Sequence, residues 1–230
     1  MMSELARTYY TAAELLEIFK ESHRLFSPLD PEADETIVLT SDSTIADWRE
    51  AQDLLPWRSL GMYFNKSFGI DLPLETTWYS VLEPSHKRTI GQVCELIAQH
   101  ATKEEIPSVR PFGQECQTAA VFLWLKGKLG SSGIDVSALR PSTPVADYKR
   151  HFGLIMDEVL RRGVRTIDKI ELEKFPTSEA WKYVIDFFLP NSAYGRRLLT
   201  GDVVTFRDLV ERIVEAQPLG APASSTNAQC

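Results

Sequence analysis

The sequence predicts a mainly α-helical protein made of two tandem small helical-bundle domains. Three observations predict this class: apolar residues recur at helical spacing along most of the chain, residues that cap helices precede these stretches, and three short segments of the first half recur in the same order in the second. The predicted domains span residues 1–105 and 106–217, and the small, polar residues 218–230 are predicted to form a disordered tail.

The composition is that of an ordinary globular protein with a packed core. Hydrophobic residues make up 43% of the 230 residues and charged residues 25%, far from the polar mixtures of disordered chains. No uninterrupted apolar run approaches the ~20 residues that a membrane-spanning helix needs, and residues 1–10 lack the basic and apolar stretches of a signal peptide. The three cysteines are widely spaced and odd in number, so they predict no disulfide framework. We therefore expect a cytoplasmic protein that does not enter a membrane.

The first long helix is predicted from its cap. Thr11 and Glu14 have the spacing of a capping box, in which the hydroxyl and the carboxylate bind amides at the helix start. The apolar residues that follow keep helical spacing to about Ser27. Residues 28–41 are acidic and contain two prolines, which favours a loop.

Shorter helices are predicted in the middle of the first half. Ser43 and Thr44 can cap one of them. Pro56 either kinks a longer helix or begins a new one, because proline lacks the amide that an interior position needs. The next short helix carries Trp78 and ends near Pro84. An apolar stripe around and after Pro56 consists of Leu54, Trp57, Leu60, Phe64 and Phe68, and the short helix that follows carries Trp78, Val81 and Leu82.

Each half is predicted to end in a capped amphipathic helix. Thr89 and Gln92 form a second capping box, and the helix behind it places Ile90, Val93, Cys94 and Ile97 on one face. In the second half a helix runs from Thr205 to about Ala216.

The second half begins after a predicted linker over residues 102–112. A strongly apolar helix over 116–129 ends in a turn at 130–133, and Pro144 is predicted in the first turn of a helix capped by Ser142 and Thr143. Residues 164–172 alternate enough to form a strand or an extended loop, so a short strand pair in this half is compatible with the pattern. Further helices are predicted over 154–162 and 178–189.

Three segments recur. The first is a Ser-Thr cap followed by alanine, aspartate and an aromatic residue, the second is a helix that carries a tryptophan, and the third is the capped helix at the end of each half. We interpret them as an internal duplication. The pairs are 43–48 with 142–148, which needs one inserted residue, then 78–83 with 181–186, and 89–97 with 205–213.

This order of elements resembles the acyl carrier protein family. Residues 68–73 and 89–97 are similar to the end of that family's second helix and to its fourth helix. The family carries a phosphopantetheine arm on the serine of an Asp-Ser-Leu motif near the start of the second helix. Residues 49–53 and 149–153 contain no serine, and Ser59 follows an arginine inside the predicted helix. The resemblance therefore implies two degenerate carrier-like domains without a prosthetic group.

No catalytic, cofactor-binding or metal-ligating residue is predicted. Cys94 and His100 lie within two turns of each other, but Cys94 belongs to an apolar stripe, where cysteine is usually a small buried hydrophobe. Cys116 is assigned to the apolar face of its helix with Ala120 and Leu123. The four histidines show no metal-ligand spacing, and the acidic run 30–35 lacks the alternation and the glycine of an EF-hand loop.

Charge is shared unequally between the halves. Residues 1–105 contain 9 Lys and Arg against 18 Asp and Glu, and residues 106–230 contain 16 against 14. A net charge of -7 argues against general nucleic-acid binding, and the second half is the only region that could bind a polyanion. Its arginines are expected to form a solvated face or to bind an acidic partner, which could be the first half of the same chain. They are Arg161, Arg162, Arg165, Arg196, Arg197, Arg207 and Arg212.

The sequence thus predicts a non-catalytic protein that binds another protein. Two alternatives stay open at this point. One is a helical regulatory module whose second half binds nucleic acid, and the other is an enzyme whose site is assembled from residues distant in sequence. Nothing in the sequence predicts the oligomeric state.

Overall fold

The computed structural model describes residues 8–30, 32–52, 54–110, 114–172 and 198–216, and it is mainly helical. No helix within these ranges is both long and apolar enough to cross a membrane. The chain divides into two compact units. Unit 1 comprises Met1–Glu105, Val159–Arg165 and Ala216–Cys230, and unit 2 comprises Ile106–Glu158 and Thr166–Glu215.

Over its described residues, unit 1 contains four longer helices and a short one, and local sequence sets several of their ends. The helices are α1 (Ala12–Phe26), α2 (Ile45–Gln52), α3 (Trp57–Phe68), α4 (Tyr79–Leu82) and α5 (Ile90–His100), with a 3-10 turn at Ser27–Leu29 and a π-helical turn at Leu74–Trp78. Pro56 begins α3 and does not kink a longer helix. The helix α3 ends at Gly69, whose φ of 63° lies in the left-handed region that glycine adopts without strain.

The predicted capping boxes of unit 1 are confirmed. The amide of Glu14 donates to the Thr11 hydroxyl at 3.2 Å, and the Thr11 amide donates to the Glu14 carboxylate at 2.8 Å. The same reciprocal pair joins Thr89 and Gln92 at the start of α5. Each cap binds amides that the first turn of a helix leaves without intrahelical partners.

Aromatic side chains fill the core of unit 1. Phe64 packs against Phe19, Phe68 and Trp78, with ring centroids 5.2–6.3 Å apart, and Phe19 lies 4.7 Å from Trp48. The buried indole N–H of Trp78 donates to Asn65 Oδ1 at 2.9 Å. Aromatic residues of α1, α2 and α3 therefore meet in one core with Trp78, as amphipathic helices require.

Unit 2 contains α6 (Gln117–Ser131), a 3-10 helix at Val145–His151, most of α7 (Phe152–Leu160) and α8 (Phe206–Glu215). The last two residues of α7, Val159 and Leu160, belong to unit 1. The 3-10 helix begins after Pro144, so the expectation that Pro144 lies in the first helical turn is wrong. The strand β1 (Glu171–Leu172) lies at the end of the predicted extended stretch. It pairs antiparallel with β2 (Leu198–Leu199).

The assignment of Cys116 to the apolar face of α6 is also wrong. Cys116 is the N-cap of the helix, where its Sγ accepts the Ala119 amide at 3.4 Å, and Leu123 is 53% exposed. The run of apolar residues in this helix has no marked face, so periodicity placed Leu123 on the wrong side, while the half-buried Cys116 lies one residue before the helix.

Some expectations fall on residues outside the described ranges. They are the helix over 178–189, the second tryptophan segment at 181–186, Arg196 and Arg197, and the tail over 218–230. The predicted domain boundaries stay a prediction.

Candidate binding surface

Two chain segments of unit 1, residues 41–45 and 88–91, pair through one antiparallel bridge and three backbone hydrogen bonds, and we name this pairing the crossing. Thr44 and Thr89 form an isolated antiparallel bridge. The Ile45 amide donates to the Arg88 carbonyl at 2.8 Å, and the Ile90 amide donates to the Ser43 carbonyl at 3.0 Å. A third bond, from the Gly91 amide to Ser41 O at 2.9 Å, extends the pairing by one step. The starts of α2 and α5 are thereby held side by side.

Unit 2 contains the same crossing between the start of its 3-10 helix and the start of α8. Pro144 and Thr205 form an isolated antiparallel bridge. Its three bonds are Val145 N–H to Val204 O at 2.9 Å, Phe206 N–H to Thr143 O at 3.0 Å and Arg207 N–H to Pro141 O at 2.7 Å.

The turn in front of each crossing is also built alike. In unit 1 the Thr40 amide donates to the Ser43 hydroxyl at 2.9 Å. In unit 2 the Arg140 amide donates to the Thr143 hydroxyl at 2.9 Å. The residue before each turn, Leu39 or Leu139, is buried.

These bonds give a different register from the one expected from sequence. In the alignment that these bonds imply, Ser43 is equivalent to Thr143 and Ile45 to Val145. The sequence Ile-Ala-Asp-Trp then aligns with Val-Ala-Asp-Tyr, and no residue needs to be inserted. Matching the two Ser-Thr pairs by residue type shifted the alignment by one position. In the bridge of unit 2, Pro144 takes the place that Thr44 has in unit 1.

A groove of about 360 Å³ lies on unit 1 between α4 and α5. It is a shallow depression that is largely open to solvent, and its volume lies at the lower end of the range of small-ligand sites, roughly 300–1,000 Å³. Val81 and Leu96 are its apolar residues, and polar or charged side chains make up the rest. Those side chains are Ser80, Arg88, Gln92, Glu95 and Gln99.

The polar residues of the groove are held by local contacts. Arg88 Nε donates to the Glu83 carbonyl at 3.2 Å, and the Ser80 hydroxyl donates to the Thr77 carbonyl at 2.8 Å. The Gln92 side-chain oxygen accepts the Thr89 amide at 3.2 Å as part of the capping box. Glu95 and Gln99 follow Gln92 on the same face of α5, at helical spacing. The groove therefore offers one cation, one anion and amide groups beside a narrow apolar strip, which suits hydrogen-bonded binding.

The cysteines singled out in the sequence lie in different environments. Burial raises the pKa of the Cys94 thiol to about 12, so Cys94 carries its proton at neutral pH. Because the thiolate is the reactive form of cysteine, Cys94 is poorly suited to act as a nucleophile. Cys116 is half-buried and contributes its Sγ to the cap of α6.

Histidine and carboxylate side chains show local structural roles. His23 is buried, and its Nε2 lies 3.0 Å from the Ile37 carbonyl. In the acidic loop, Asp30 accepts the Glu32 amide and Asp34 accepts the Thr36 amide, and the bonds from Thr36 lower the pKa of Asp34. Over the described residues, no group of three or more His, Cys, Asp and Glu side chains could hold a metal ion.

The described arginines of the second half are divided between the two units. Arg161, Arg162 and Arg165 belong to unit 1, and Arg165 forms an ion pair with Glu21. Arg207 and Arg212 lie on α8, where Arg212 pairs with Asp202.

Comparison with known proteins gives no relative. No protein-family model matches the chain, and neither a curated protein nor a solved structure matches it.

Proposed function

We propose that this protein binds another protein, without catalysis, and that it is built from two copies of one carrier-like helical module. The observation that carries the proposal is the crossing that recurs in both units, with three equivalent backbone hydrogen bonds and an equivalent bridge. Single capped helices are common in helical proteins. Three matched long-range bonds in the same order are far harder to reach without common descent.

The helices around each crossing support the duplication. In unit 1 the long helix α1 packs on α5, and in unit 2 the long helix α6 packs on α8. The long helices have 15 residues each, and a side chain of the N-cap residue accepts an amide in both. The final helices α5 and α8 both begin after a threonine that shares a capping box, with Gln92 in one and Asp208 in the other.

The environment of Ser43 supports a module without a prosthetic arm. Asp42-Ser43 is the one Asp-Ser pair in the sequence, and it precedes α2. The Ser43 hydroxyl accepts the Thr40 amide, and the Thr143 hydroxyl accepts the Arg140 amide in the same way in unit 2. This repetition indicates a structural role for the Ser43 hydroxyl. The residues described in front of α3, Leu54 to Pro56, contain no serine.

Incubation with a phosphopantetheinyl transferase and coenzyme A tests the missing arm. The intact mass of the full chain is expected to stay unchanged, while an authentic acyl carrier protein in the same reaction gains one phosphopantetheine. Any gain of a phosphopantetheine by this chain would overturn the proposal, and Ser43→Ala would then show whether Ser43 carries it.

The groove on unit 1 is the surface that we assign to partner binding. It combines hydrogen-bonding side chains with an apolar strip, as polar protein–peptide contacts do. The acidic balance of residues 1–105 favours a partner with basic residues around its contact, because opposite charge speeds association.

A further inference from the structure

Residues 159–165, which we name the clasp segment, lie in unit 1 although the chain has left that unit at Glu105. The side chains of Val159, Leu160 and Val164 in this segment are buried. Gly163 has a φ of 69° and its amide donates to the Leu160 carbonyl at 2.7 Å, which turns the chain directly after α7. The clasp segment is thus a packed part of unit 1.

Polar contacts join the clasp segment to both ends of the first half. The Tyr10 hydroxyl, just before α1, donates to the Arg161 carbonyl at 2.9 Å. The Arg162 side chain donates to the Glu104 carbonyl, beyond the end of α5. One segment therefore contacts the chain where it enters and where it leaves the helical core of unit 1.

The third contact involves a buried carboxylate in the middle of α1. The Glu21 side chain is only 3% exposed, whereas the Arg165 side chain that reaches it is 54% exposed. Arg24 binds it through Nε at 2.8 Å and Nη2 at 2.6 Å, and Arg165 adds Nε at 3.3 Å and Nη2 at 3.1 Å, both to Oε2. Two guanidinium groups thus compensate one buried charge.

Loss of Arg165 would leave Glu21 with less compensation than its burial requires. Removing one partner of a buried ion pair is costly because the remaining charge has been taken out of water. Arg24 lies on the same helix as Glu21, so it stays beside the carboxylate whether or not the clasp segment is attached. The Arg165 contact therefore stabilises the protein only while the clasp segment is attached to the rest of unit 1.

We propose that residues 159–165 are a clasp that closes unit 1, and that the binding of Arg165 to the buried Glu21 carboxylate is the contact that holds it closed. Release of the clasp exposes Glu21 and loosens α1. This device is independent of the binding function proposed above, because it concerns the opening of unit 1 and none of the groove residues.

Hydrogen exchange of the full chain tests the clasp. In Arg165→Ala, the protected amides of α1 are expected to exchange about tenfold faster or more, since a buried charge loses a partner. Amides of α8 serve as the internal reference and are expected to keep their rates. The matched control is Arg110→Ala, which removes an arginine from an ion pair with Glu115 whose side chains are 67% and 61% exposed. It is expected to leave α1 unchanged because exposed pairs contribute little.

A double-mutant cycle with Glu21→Gln decides whether the carboxylate is responsible. With a neutral amide at position 21, Arg165→Ala is expected to change the α1 rates by less than about threefold. An equal change in both backgrounds, or no change in the native background, would overturn the proposal.

A milder substitution keeps the test decisive if Arg165→Ala does not fold. Arg165→Lys retains the charge and loses the guanidinium fork. Faster exchange of α1 in this variant that Glu21→Gln removes supports the clasp, and the same rates with and without Glu21→Gln contradict it.

Discussion

Gly61 shows how one missing methyl group sets the distance between two helical segments. A Cβ at this position would lie 2.9 Å from Trp78 Cγ and 3.1 Å from Leu74 Cδ2, and the Trp78 side chain is fully buried. The glycine lets the π-helical turn carrying Trp78 approach α3. The indole then reaches Asn65, whose amide also bonds both backbone groups of Leu72.

Gly61→Ala is therefore expected to destabilise the protein by about 1–3 kcal/mol, the usual cost of an overpacked core. The matched control is Gly127→Ala in the middle of α6, where an added Cβ would meet no atom within 4 Å. Alanine there is expected to stabilise by about 0.5–1 kcal/mol, since it restricts the unfolded chain and favours the helix. Urea unfolding of the two variants measures both values. Equal effects of the same sign would show that space at Gly61 is not the determinant.

At the scale of elements, α8 depends on a carboxylate at its start. Asp208 accepts the Thr205 amide at 2.7 Å and the Val204 amide at 3.1 Å, while its own amide donates to the Thr205 hydroxyl. The bond from the Thr205 amide is the main reason that the pKa of Asp208 lies below its ordinary value. A carboxylate whose pKa is lowered by folding stabilises the folded protein when it is ionised.

Asp208→Ala is expected to lower the free energy of unfolding by about 0.5–1 kcal/mol at neutral pH, as the loss of a helix cap does. Because the folded pKa is depressed, this difference is complete above about pH 5 and disappears as the pH falls through the folded pKa below about pH 4. Chemical unfolding between pH 7 and pH 3 measures it. Glu211→Ala on the same helix is the control, with an effect within about 0.5 kcal/mol. A difference that grows toward low pH would contradict the assignment.

At the scale of the whole molecule, contacts close in sequence could be predicted and distant ones could not. The caps at Thr11 and Thr89 were predictable because each partner lies three residues away and the chemistry is local. The pairing of Glu21 with Arg165 spans 144 residues, and no periodicity encodes it. The alignment of Pro144 with Thr44 was missed for a related reason. Backbone hydrogen bonds to a segment distant in sequence determine this alignment, and residue type does not.

The groove of unit 1 belongs to the same class of features that only the folded chain brings together. Its lining comes from α4, from the residue before the cap of α5 and from α5 itself. Helical periodicity alone assigns the polar members of this lining to the outer faces of separate helices. Their combination into one surface required the packing of α4 on α5.

Partner binding through this groove is expected to respond to a reversal of its one anion. Glu95→Arg should abolish retention of the partner by the immobilised full chain, and Glu35→Arg in the acidic loop, with the same change in net charge, should retain it. Mass spectrometry of the retained proteins, after nuclease treatment, measures both variants against the native chain. Equal retention by both variants would exclude the groove, and retained material that nuclease removes would favour the nucleic-acid alternative.

The late return of the chain to unit 1 has a consequence for biosynthesis. Apart from Ala216, the described residues of unit 1 that lie outside Val159–Arg165 all precede Ile106, so the ribosome must add about 60 residues after Glu105 before Arg165 exists. At synthesis rates of roughly 5–20 residues per second, the first half therefore exists for about 3–12 seconds before the complete clasp segment has been synthesised. During that interval Glu21 faces water or a chaperone without its distant arginine.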